Sequence, residues 1–112
     1  GSPTSASALA RLCLYASQHQ VQGTHHFTDS GVCSWYDFAM AIQELGMKHQ
    51  LLQSAIPIRP IPTSAYPTPA RRPSYSVLDK ATLKTSFAGL QPNYWRAELE
   101  KVIEQLAHQI NE

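Results

Sequence analysis

The residues best suited to chemistry lie between Pro62 and Asp79, in the string Pro-Thr-Ser-Ala-Tyr-Pro-Thr-Pro-Ala-Arg-Arg-Pro-Ser-Tyr-Ser-Val-Leu-Asp. This stretch holds the chain's only adjacent arginines, Arg71 and Arg72, together with Tyr66 and Tyr75. The planar fork of an arginine matches phosphate oxygens two at a time. Pro62, Pro67, Pro69 and Pro73 each remove a backbone donor and restrict the residue before them, so no helix is expected to run through. Stiffness of this kind lowers the entropy cost of presenting side chains to a ligand. The chemistry on offer is the gripping of an anion, with Arg71, Arg72, Tyr66 and Tyr75 as candidates. Taken alone, the same string also describes a stiff connector between packed elements, the commoner role of a proline-rich loop.

Other constellations are missing. The glycines, at Gly1, Gly23, Gly31, Gly46 and Gly89, are too dispersed for a phosphate loop. No Tyr-x-x-x-Lys pair exists, because the residues four before Lys48, Lys80, Lys84 and Lys101 are Glu44, Ser76, Lys80 and Ala97. Nucleophile elbows and His-Glu-x-x-His motifs are absent too. His25 and His26 sit in a segment read as a strand, where neighbours face opposite ways, so one histidine packed on the core is expected rather than a metal site. Glu100 and Glu104, spaced i,i+4 on a polar helix face, make a weak catalytic pair. A net charge of +1 with scattered basic residues argues against nucleic-acid binding. No apolar run approaches the ~20 residues of a membrane span, and no signal peptide is visible. Cys13 and Cys33 lie in apolar patterns and read as reduced core residues of a cytoplasmic protein.

The elements that must hold the arginine stretch follow from periodicity. A chain of 112 residues, 43% hydrophobic, fits one small domain over residues 1–112. Thr4 or Ser5 caps a first helix of about four turns, with Leu9, Leu12, Cys13 and Ala16 on its apolar stripe. Thr24 to Thr28 reads as a strand. Ser34 caps a second helix with Asp37 as its capping-box partner; Trp35, Phe38, Ala39, Ile42 and Leu45 form the buried stripe, and Gly46 ends it. Leu51 to Ile61, with Pro57 and Pro60, allows only an edge strand. After the arginine stretch, Asp79 caps a short helix from Lys80 to about Ser86. A last helix after Pro92-Asn93 carries Trp95, Leu99, Val102, Ile103, Leu106 and Ile110, opposite Arg96, Glu100, Lys101, Glu104 and Gln109. The expected class is α/β, a small mixed helix/strand lobe with no closed sheet of its own.

Three segments together carry a resemblance. Ser34-Trp35-Tyr36-Asp37-Phe38-Ala39 follows a Gly-Thr-His-His-Phe segment, and Pro-Thr-Ser-Ala-Tyr-Pro-Thr-Pro-Ala-Arg-Arg-Pro comes after. This pattern resembles the C-terminal part of bacterial dTDP-4-dehydrorhamnose reductases, extended short-chain dehydrogenases of dTDP-L-rhamnose synthesis. Gly1-Ser2-Pro3-Thr4 is similar to that family's Gly-x-Pro-Thr segment, and the Pro92-to-Trp95 start of the last helix fits as well. The resemblance covers essentially the whole chain but only about the last third of a family member.

The resemblance implies the substrate-binding lobe of a Rossmann-type enzyme, with the Rossmann domain absent and no cofactor held by this chain. The parent would use NADPH to reduce a 4-keto sugar nucleotide, and the lobe alone would be inactive. Its partners would be the dTDP-sugar, the missing Rossmann domain, against which the helix in residues 1–20 would pack, and a second subunit of a homodimer. Arg72, directly before Pro73, is the first choice for a phosphate contact; Arg71 matches less firmly, and Tyr66 and Tyr75 would line the cleft. Some family members bind Mg²⁺ at a dimer contact through glutamates near the C-terminus. Glu100 and Glu104 do not match these position by position, so the metal is not carried over. The alternative is a non-catalytic regulatory or interaction domain of the same fold, like the methionine adenosyltransferase regulatory subunit.

Overall fold

The computed structural model describes residues 1–111. Among the described residues four α-helices follow one another: α1 (Ala6–Gln18), α2 (Trp35–Lys48), α3 (Leu83–Ser86) and α4 (Trp95–Ile110). A single 3₁₀ turn, Thr63–Ala65, interrupts the proline-rich stretch.

Helix starts follow local chemistry. Ser5 caps α1 by accepting from the Ala8 amide. Ser34 and Asp37 close the expected capping box on α2, each side chain accepting from the other's backbone amide. The helix ends are less expected. Both α1 and α2 finish in Schellman turns with a glutamine in the left-handed position, Gln20 at φ 52° and Gln50 at φ 63°. Val21 N–H donates to Ala16 O at 3.0 Å and Leu51 N–H to Gly46 O at 2.8 Å, which satisfies carbonyls the helices leave open. Gly46 therefore does not end α2. It lies within the last turn, where a Cβ would stand 3.0 Å from Leu52 Cδ1.

The expected strands do not form among the described residues, and the mixed helix/strand class is corrected to a helical lobe with one isolated bridge. Ser30 pairs in parallel with Tyr94: Ser30 N–H donates to Asn93 O at 2.8 Å and Trp95 N–H to Ser30 O at 3.0 Å. A strand needs a neighbour to take its backbone bonds. Thr24 to Thr28 has none, and Leu51 to Ile61 spends three positions on prolines if Ile61's successor Pro62 is included.

The core is small. Leu12, Leu83 and Phe87 are its buried centre, with Tyr15, Ala16, Val21, Phe27 and Leu90 packed around them. A second packed layer joins α2 to α4, burying Ala41 and Leu45 on one side and Trp95, Ile103 and Ala107 on the other. Phe38 meets Trp95 edge-on at 6.1 Å. Arg96 to Glu44 at 2.8 Å and Lys48 to Glu100 at 2.6 Å pair across the rim. The stripes are rotated from those expected. Leu9 and Cys13 of α1 are exposed, as are Val102, Leu106 and Ile110 of α4, and Trp35 is 86% exposed. Cys33 is half-buried, so neither cysteine is a core residue, and both are free thiols.

The Cα radius of gyration, 16.6 Å, exceeds the roughly 13 Å of a compact domain this long. The excess comes with a long exposed arm, residues 57–79, in which only Ile58 and Val77 are half-buried.

Candidate functional site

Arg71, Arg72, Tyr66 and Tyr75 all lie on this arm, and all four are exposed. No side-chain hydrogen bond, ion pair or ring contact ties any of the four to another of the described residues. The guanidinium groups are therefore not neutralised by a carboxylate, and they sit beside Pro73, whose ring fixes the backbone. The arm's internal bonds are few: Ala65 N–H to Pro62 O at 2.9 Å, Tyr66 N–H to Thr63 O at 3.1 Å, and Thr68 Oγ1 to Ala70 O at 3.0 Å. This arrangement can present two positive forks and two phenols to an anion; it cannot transfer a proton or a hydride.

Where the arm returns to the body, a buried polar node receives it. Asp29 is 1% exposed and Glu98 2% exposed. Asp29 Oδ2 accepts from the Ser5 amide at 2.9 Å, while Ser5 Oγ donates to Glu98 Oε2 at 3.1 Å. Asn93 Nδ2 and Lys101 Nζ donate to the other Glu98 oxygen at 2.8 and 3.0 Å. Lys80, the first residue past the arm, donates from Nζ to the carbonyls of Thr28 and Asp29 at 3.2 and 3.0 Å. Burial pushes Asp29 above its ordinary value, aided by Glu98 and opposed by the Ser5 amide. The bond from Asn93, with those from Lys101 and Ser5, holds Glu98 below the usual range despite its burial. Sequence reasoning missed this node: Asp29 read as part of a turn, Glu98 drew no notice among the other charged residues of the last helix, and spacing carries no signal for partners this far apart.

The histidines sort as expected. His25 is half-buried, edge-on to Phe87 at 5.3 Å, with Nδ1 2.8 Å from Thr82 Oγ1 and Nε2 2.7 Å from Gln22 O, while His26 is exposed. A different trio has metal-ligand spacing: His49, Glu100 and Glu104, whose ligand atoms lie within 4.8 Å of one another. Lys48 Nζ already occupies the shared Glu100 oxygen, so this is first an ion-pair network between α2 and α4, and a cation would have to displace the lysine. For a dinucleotide the chain offers neither a glycine-rich turn nor a Tyr-x-x-x-Lys pair. No helix among the described residues is long and apolar enough to cross a membrane.

Comparison with known proteins assigns the chain to a family. Residues 1–108 match the family model for the RmlD substrate binding domain. The chain is 32% identical over 111 residues to the dTDP-4-dehydrorhamnose reductase of Escherichia coli K12, covering 95% of the chain and 37% of that relative. It is 34% identical over 106 residues to the spore coat polysaccharide biosynthesis protein SpsK of Bacillus subtilis, covering 94% and 34%. Among solved structures, a dTDP-4-dehydrorhamnose reductase of Clostridium acetobutylicum superimposes with a TM-score of 0.80 at 36% identity, over 95% of this chain and 35% of that one. The chain thus spans little more than a third of the length of these relatives.

Proposed function

The chain belongs to the RmlD substrate binding domain family, and from that premise we propose that it is the nucleotide-sugar lobe of an NADPH-dependent dTDP-4-dehydrorhamnose reductase. The parent enzyme reduces the 4-keto group of the dTDP-sugar in dTDP-L-rhamnose synthesis, in the cytoplasm. This chain supplies substrate contacts, and the NADPH site and the proton-transferring pair belong to the rest of the parent, so the lobe alone is inactive.

The carrying observation is the pair of unneutralised guanidinium groups at Arg71 and Arg72 on a proline-stiffened arm. A diphosphate carries the charge and the oxygen geometry that such forks recognise. Arg72 is the main phosphate contact, with Arg71 beside it and Tyr66 and Tyr75 flanking the base or sugar. The exposed face of α1, with Leu9, Cys13 and Leu14, is the surface on which the Rossmann domain rests. A homodimer of the parent fits this reading.

Titration of the chain with dTDP, followed by amide chemical shifts, tests the proposal. Weak saturable binding that Arg72→Ala abolishes supports it, whereas equal shifts in both proteins would reject the phosphate role.

A further inference from the structure

Hydrogen bonds tie the arm to the body at its two ends, and by different chemistry. At its start, Gln43 of α2 accepts from the Ile56 amide through Oε1 at 2.9 Å. Gln43 is a buried polar residue among the apolar ones of α2, and helix periodicity gives no reason for its being there. At the other end, Lys80 gives its ammonium to the two adjacent carbonyls of Thr28 and Asp29. Between Pro57 and Leu78, every hydrogen bond among the described residues is local to the arm. A 3₁₀ turn and six prolines stiffen the span internally, but stiffness fixes shape and leaves orientation to the attachments.

We propose that Gln43 and Lys80 are positioning residues: acting at the two roots of the arm, they set where Arg71 and Arg72 stand relative to the body, and so the affinity for a nucleoside diphosphate. This rests on the substrate-lobe reading for its ligand, though not for the anchoring itself. Neither residue touches the ligand. A loop free to swing at its roots loses ordering entropy when it binds, and the loss is charged to affinity. The lysine anchor is the stronger, since a charged donor bonded to two carbonyls exceeds a neutral amide pair.

The test uses the 112-residue chain, with dTDP as the probe and ¹⁵N heteronuclear NOE values over residues 57–79 as a readout independent of ligand. Lys80→Met and Gln43→Met are compared with wild type, with Lys80→Arg as the conservative rescue and Lys48→Met as a lysine lost from the α2–α4 rim. The expected result is lower NOE values along the arm in both anchor variants and dTDP binding weakened by about three- to tenfold. Lys80→Arg should recover both, and Lys48→Met should change neither. Unchanged arm order and unchanged dTDP affinity in Lys80→Met and Gln43→Met overturn the proposal. If the arm loosens while Arg72→Ala leaves dTDP binding intact, the anchors stand and the phosphate-gripping reading of the arm falls.

Discussion

Ser5 Oγ lies 3.1 Å from Glu98 Oε2, although 93 positions of sequence separate the two residues. The hydroxyl also accepts from the Ala8 amide, so one side chain caps α1 and docks it onto the first turn of α4. With Asn93 and Lys101 on its other oxygen, Glu98 satisfies three donors from a site almost closed to water. That is the arrangement in which a buried carboxylate is held ionised.

Glu98→Ala should therefore be among the most damaging substitutions outside the apolar core, because it strands the partners of a buried charge. A loss of about 2–3 kcal/mol is expected from urea unfolding. Glu104→Ala, on the exposed side of the same helix, should change stability by less than about 0.5 kcal/mol.

The two buried carboxylates predict opposite pH trends. Glu98 is depressed below its ordinary 4.5, so its stabilisation is present above that value and is lost as pH falls through its folded pKa. Asp29 is raised above its ordinary 3.8, so its contribution is present below that value and is lost as pH rises through its folded pKa. Urea midpoints from pH 7 down to pH 3 should show the gap between wild type and Glu98→Gln closing below pH 4.5. Asp29→Asn should improve relative to wild type as pH rises from 3.8. Parallel curves for all three proteins would contradict the assignment.

Gly31 stands at φ 89°, and a Cβ there would come within 2.7 Å of the Tyr94 ring and 2.9 Å of Trp95. Gly31→Ala meets both backbone strain and overpacking, beside the Ser30–Tyr94 bridge that brings α4 to its place. A loss of about 2 kcal/mol or more is expected, with a shifted Trp95 fluorescence maximum as its local sign.

Gln20 and Gln50 pay for left-handed backbone at the ends of α1 and α2. Gln50→Gly should raise the melting temperature, with a gain of about 0.5–1 kcal/mol measured by calorimetry. The same change at Gln53, where the φ is not positive, should gain nothing.

Trp35 separates the observed fold from the one periodicity suggests. A buried Trp35 would cost about 3–5 kcal/mol on truncation to alanine. At 86% exposure it should cost no more than about 0.5 kcal/mol, while Phe87→Ala should unfold the small core.

What the sequence made legible was local. The Ser34–Asp37 capping box, the Ser5 cap and the non-helical proline stretch each depend on residues a few positions apart. Helix faces were harder: α2 and α4 were found, but their apolar positions outnumber the contacts available in the chain, so Trp35, Val102 and Leu106 could not be sorted from Leu45 and Ile103 by pattern. The strands failed because a β-prone segment without a partner has nowhere to place its backbone bonds. For the candidate site, the arm and its arginines were readable from composition. Their anchors were not, since Gln43 and Lys80 owe their roles to atoms brought near only by the fold.

The Ser5–Glu98 contact also bears on how the domain reaches its native state. A node that joins the opening residues to the last helix is closed by a long loop, and contacts of that span slow folding. On a ribosome the Ser5 hydroxyl's bond to Glu98 and the inner face of α2 must wait for α4 to emerge. Until then their buried polar atoms and apolar positions stay open to water and to other chains. Amide exchange protection across α1 and α2 should therefore arrive in a single step with α4, and truncation before Trp95 should leave neither helix protected.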